Sequence, residues 1–124
     1  MAGLSKRDLA KLEECDVAIR RIVYNVAQKL PIRVICGFRN EAQQNALYPK
    51  YTQVQWPMSK HNKQPSLAVD LAPDPIDWEA TDKFEAIALE MYAEAQRQDV
   101  AIRWGGAWKM RDLGHFELKE TTLN

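Results

Sequence analysis

A chain of 124 residues with 46% hydrophobic side chains fits one compact domain, residues 1–124, with a core of its own. Its 17 basic and 17 acidic residues balance to zero, which argues against nucleic acid as the main partner. No stretch approaches the ~20 apolar residues of a membrane span, so no membrane insertion is expected. The start, Met1 to Asp8, lacks the apolar run of a secretory signal, which points to folding in a cytoplasm. The balance is uneven: residues 1–63 carry +6 and residues 64–124 carry −6. A site on the basic side would favour an acidic substrate.

Residues 5–29 read as a helix, because Leu9, Leu12, Ile19, Ile22, Val23 and Val26 recur at three- and four-residue spacing. Ser5 with Asp8 resembles a capping pair, and Pro31 stops the run. Ile32 to Cys36 is a short β-rich strand. Cys15 and Cys36 form neither a CxxC pair nor a disulfide framework and read first as core thiols, with a disulfide or a metal-ligand role as the alternatives. Asn40 with Gln43 caps a helix through about Leu47, which leaves Arg39 at a strand-to-helix corner, aimed into a cleft or simply out to solvent.

Residues 48–66 are polar and irregular, broken by Pro49, Pro57 and Pro65; a connection that long is often functional. Leu67 to Leu71 alternates, so Ala68 and Asp70 share the face opposite Leu67, Val69 and Leu71. A charge in such a strand needs a partner or a metal. A helix is predicted from about Trp78 to Arg97, with Phe84, Ile87, Ala88, Met91 and Ala95 as its buried stripe. The acidic residues Asp74, Asp77, Glu79 and Asp82 near its start match no EF-hand spacing. Strands follow near 101–104 and 115–118, joined through a Gly105-Gly106 turn, with His115 and Glu117 on one face and a frayed tail from Lys119 to Asn124.

The two histidines, His61 and His115, both lie next to strands. Together with Asp70 they make a three-ligand set that zinc accepts, with the fourth position open for a water. Asp112, three residues before His115, can serve as a base beside such a site, or it can orient a ligating imidazole.

Ser59-x-His61, Ala68-x-Asp70 and Asp112-x-x-His115-Phe116-Glu117-Leu118 together resemble the zinc D,D-peptidase and L-alanyl-D-glutamate endopeptidase family. That family sits within the lysostaphin, D-Ala-D-Ala and hedgehog-type metallopeptidases and includes phage endolysins. Cys36-Gly37-Phe38-Arg39 is similar to its Gly-Tyr-Arg corner, Gln43 and Tyr48 fit the helix behind, and Trp104 to Lys109 looks like the segment before the last motif. The likeness spans about residues 30–120. Two departures stand out. The numbers of His61 and Asp70 differ by nine where the compact family pattern has seven, with Ser66 near a glycine's place, and Gly114 stands where many relatives have proline.

The resemblance implies zinc held by His61, Asp70 and His115, with Asp112 as catalytic base and Arg39 on the substrate or its scissile carbonyl. It implies a monomeric peptidoglycan hydrolase that cuts stem peptides at the L-Ala–D-Glu bond, as a phage endolysin does. Such an enzyme is made in the cytoplasm of the infected bacterium and reaches the wall after release. The alternatives are a D-alanyl-D-alanine carboxypeptidase or dipeptidase, or an inactive zinc-binding module of the same fold. An acid at the base position favours the enzyme, and the missing signal favours the endopeptidase. The implied fold is α+β and hedgehog/D-Ala-D-Ala-peptidase-like. In it, helices 5–29 and 78–97 pack on a small, largely antiparallel sheet of strands 32–36, 67–71, 101–104 and 115–118, with the site on one sheet face.

Overall fold

Alternating apolar residues build the sheet. In the computed structural model, which describes residues 3–119, four strands form: β1 (Ile32–Cys36), β2 (Ala68–Pro73), β3 (Ile102–Trp104) and β4 (His115–Leu118). They pair antiparallel in the order β1-β2-β4-β3. Val34, Val69, Leu71, Ile102 and Phe116 point to one face and are buried there. The helices α2 (Val17–Ala27) and α4 (Thr81–Arg97) cover that face with Ile19, Ile22, Val23, Val26, Ile87, Ala88 and Met91. Truncating any one of the large residues in such a core costs ~2–5 kcal/mol. The opposite face carries Asp70, His115 and Glu117, and the α+β arrangement is as expected. No helix among the described residues is long and apolar enough to cross a membrane.

The single helix expected over residues 5–29 is two helices, α1 (Lys6–Leu12) and α2. Residues 14–16 leave the helical path to pair with the loop before β2. The Asp16 N–H donates to the Ser66 carbonyl at 2.8 Å, and the Ser66 N–H to the Glu14 carbonyl at 2.9 Å. The Asp16 side chain then caps α2 by accepting from the Ala18 N–H at 2.9 Å. The apolar rhythm hid this break because Leu12, Cys15 and Ile19 stay buried on the same side of it.

Only half of the predicted cap at Ser5 forms. The Ser5 hydroxyl accepts from the Asp8 N–H at 3.1 Å, while the buried Asp8 carboxylate turns inward. It takes the Arg33 Nε at 2.8 Å and the Val34 N–H at 2.9 Å, and so closes the free edge of β1. Burial works to raise the pKa of this carboxyl, but the Arg33 guanidinium and the Val34 N–H outweigh it and hold it below its ordinary value.

The helix predicted from Trp78 starts at Thr81. The Asp77 side chain accepts from the Glu79 N–H at 3.0 Å and its carbonyl from Ala80, which makes a turn before the helix can begin. Asp99, at φ 57°, leads out of α4 in the left-handed conformation. Asp74, Asp77, Glu79 and Asp82 are exposed, and among the described residues they gather no three-donor group. Apart from Lys119, the tail predicted to fray lies outside the described residues.

Candidate metal centre

Strand register brings the first two side chains together. Asp70 on β2 stands directly opposite His115 on β4, and cross-strand partners share a face. The Asp70 Oδ1 lies 3.1 Å from the His115 Nδ1. The third side chain arrives from the long loop. A 3₁₀ turn, Lys60–Asn62, carries His61 and is closed by a reciprocal Ser59–Asn62 cap. The Asn62 amide donates to the Arg39 carbonyl at 3.0 Å, the Arg39 N–H to the His61 carbonyl at 2.8 Å, and the Leu67 N–H to the Lys60 carbonyl at 3.0 Å. These bonds give a segment without regular structure one path, with the His61 Nε2 at 3.2 Å from the same Asp70 oxygen.

Both imidazoles are oriented by their far nitrogens. The His61 Nδ1 lies 2.7 Å from the Gly37 carbonyl, which can only accept, so Nδ1 keeps its proton and Nε2 is the free donor atom. The His115 Nε2 faces the Glu117 Oε1 at 2.8 Å, which leaves Nδ1 toward Asp70. Glu117 in turn pairs with the Lys60 Nζ at 3.3 Å. Burial disfavours a charged His61, yet the adjacent Asp70 carboxylate overrides it and raises this imidazole to about 10. Asp70 itself, though desolvation opposes its charge, is held far below the carboxylate range by the two imidazoles.

The two edges that meet at Asp70 have the length a bound cation needs. Two imidazole nitrogens lie 3.1 and 3.2 Å from one carboxylate oxygen. Zinc bonds of ~2.0–2.1 Å in a tetrahedron give ligand–ligand edges of ~3.3 Å. Hydrogen bonds from the second nitrogen of each imidazole to a carbonyl and to a carboxylate are the usual support for ligating histidines.

Asp112 lies on the loop between a second 3₁₀ turn, Gly105–Ala107, and β4, and a carboxylate oxygen of it comes within 4.8 Å of donor atoms of Asp70 and His115. Its N–H donates to the Gly105 carbonyl at 3.0 Å, and its carbonyl accepts from the His115 N–H at 3.2 Å. A side chain at Gly105 would stand 2.5 Å from the Asp112 carbonyl, so only glycine lets this loop close. Gly114 is likewise obligatory: a Cβ there would meet the Leu71 carbonyl at 2.4 Å. Burial and the Asp70 charge beside it raise the Asp112 carboxyl above its ordinary pKa.

Arg39 lines the same cleft of about 800 Å³, with Lys60, Tyr51, Met58, Trp78 and Trp108 along its walls. Its guanidinium donates to the Gln44 Oε1 at 2.9 Å and to the Asp70 Oδ2 at 3.4 Å. The structure thus brings together all five residues singled out from sequence: Arg39, His61, Asp70, Asp112 and His115.

The sequence pattern singled out neither Gln44 nor the facing of Cys36. Gln44, fully buried, fixes both Arg39 and Asn62, whereas Gln43 merely caps α3 (Glu41–Leu47). Glu117 was placed on the His115 face, and the alternation was signal enough to make it that imidazole's partner. Cys36 is no core thiol; it is half-buried and within 4.8 Å of donor atoms of His61 and Asp70. Cys15, by contrast, is buried as expected, and desolvation pushes its thiol up to about 12.

Residues 2–124 match the family model described as phage L-alanyl-D-glutamate peptidase. Among solved structures, the crystal structure of the Serratia marcescens L-Ala D-Glu endopeptidase ChiX is similar, with a TM-score of 0.79 and 26% identity. The match covers 92% of this chain and 87% of that one.

Proposed function

The chain belongs to the phage L-alanyl-D-glutamate peptidase family, whose members cleave peptidoglycan, and on that premise we propose a zinc-dependent endopeptidase in which His61, Asp70 and His115 hold the metal and Asp112 is the general base. The observation that carries this reading is the convergence of the His61 Nε2 and the His115 Nδ1 on one Asp70 oxygen, with Asp112 alongside. When bound, zinc supplies Lewis-acid polarisation of the scissile carbonyl and makes a water more acidic.

The chain's own residues do the rest. Asp112 takes the proton of the attacking water and returns it to the leaving amine nitrogen. The half-buried Arg39 lines the cleft, where its planar fork can meet a substrate carboxylate or a developing oxyanion. Glu117, neutralised by Lys60, keeps the His115 ring in the tautomer that points Nδ1 inward. The enzyme is a single catalytic domain that works as a monomer. The phage family supports synthesis in the cytoplasm of the infected bacterium, with action on the wall after release.

The bond specificity is tested on purified peptidoglycan. Mass spectrometry of the released fragments is expected to find a new amino terminus on D-glutamate and L-alanine left on the glycan. Release of terminal D-alanine alone would instead indicate the carboxypeptidase alternative.

Arg39→Lys separates a substrate role from a structural one. Lysine keeps the charge but lacks the fork. Folding stability is expected to stay close to the parent's while hydrolysis falls by ~10²-fold, the usual cost of one lost oxyanion donor. A variant that melts early yet keeps its specific activity would make Arg39 a structural residue.

A further inference from the structure

β1 carries a bulge whose effect is chemical. Against β2 its register runs Ile32 opposite Pro73, Arg33 opposite Ala72 and Val34 opposite Leu71, then slips so that Cys36 stands opposite Asp70. Strict alternation from the buried Val34 would put Cys36 on the helix-covered face. The extra residue, Ile35, re-aims it to the face of Asp70, as bulges beside functional sites do. The Cys36 Sγ there comes within 4.8 Å of donor atoms of His61 and Asp70, and the Arg39 Nη2 contacts it at 3.9 Å. Asp70 is therefore shared by two donor triads, one completed by His115 and Asp112 and the other by His61 and Cys36.

We propose that Cys36, His61 and Asp70 form a second cation position, selective for thiophilic divalent ions such as cadmium. Sulfur donors select soft ions, whereas the His61–Asp70–His115 set offers only nitrogen and oxygen. A thiolate and a carboxylate together also neutralise a divalent charge, which the other set's single carboxylate does not. On binding, the sulfur lone pair forms the bond to the metal and the thiol proton is released to solvent. On the zinc reading both positions draw on His61 and on the Asp70 carboxylate, so filling one excludes the other. That exclusion rests on the zinc reading above; the sulfur site itself does not.

Cadmium added to the chelator-stripped full-length chain tests this through the ultraviolet sulfur-to-cadmium charge-transfer band. The band signals sulfur–cadmium contact whether or not the zinc-loaded chain cuts peptidoglycan, so this inference and the zinc reading fail separately. The parent and Cys15→Ser are expected to develop the band at one equivalent, and Cys36→Ser and Cys36→Ala to lack it, with circular dichroism showing each variant folded. His115→Ala is expected to keep it, since this triad does not use that imidazole. Absence of the band from the parent, its survival in both Cys36 variants, or its loss from folded His115→Ala would overturn the second position.

Discussion

Asp112→Asn is expected to fold, to bind zinc as the parent does, and to lose peptidoglycan hydrolysis by ~10²–10⁴-fold, the usual contribution of a general acid–base group. Asparagine is nearly the same shape, and the contacts that fix the loop are made by the backbone of residue 112, to Gly105 and His115. The substitution therefore removes the proton acceptor and little else. Zinc content, melting temperature and hydrolysis are measured beside the parent. Full zinc with near-normal hydrolysis would remove Asp112 from the mechanism. Lost zinc would make it a ligand or a support for one.

Alanine at His61, Asp70 or His115 is expected to remove most bound zinc and, with it, hydrolysis, because each variant lacks one of the three ligands of the catalytic position. The three variants should differ in stability. Asp70 touches His61, His115 and Arg39, so its loss leaves a largely buried guanidinium and two imidazoles without their shared anion. Removing one partner of a buried ionic cluster is strongly destabilising, by ~3–5 kcal/mol, so Asp70→Ala should melt earliest. His115→Ala frees Glu117, which Lys60 still neutralises, and should be the mildest. Unchanged zinc in all three purified variants would refute the ligand assignment.

Much of this was legible because the chemistry rests on rare residues in regular places. The chain has only two histidines, and the alternation around Asp70 and His115 correctly put those two side chains on the uncovered face. The strands were placed within a residue or two, since β-rich runs bounded by Pro and Gly have few other readings. Three features resisted. The break at residues 14–16 depends on Ser66, fifty residues away, and local periodicity is blind to such a partner. The slip at Ile35 inverts the facing of Cys36 through a single extra residue, which no side-chain pattern announces. Gln44 lies beside the recognisable cap residue Gln43, and only the tertiary contact to Arg39 and Val54 tells the two apart.

On the proposed mechanism, peptidoglycan is cut only while His61, Asp70 and His115 hold a metal. Its most direct test is metal content followed together with hydrolysis as the purified chain is stripped by a chelator and refilled with zinc. A single zinc per chain is predicted, with hydrolysis lost as it leaves and restored in proportion as it returns. Full-rate hydrolysis by a chain holding no metal would contradict the account.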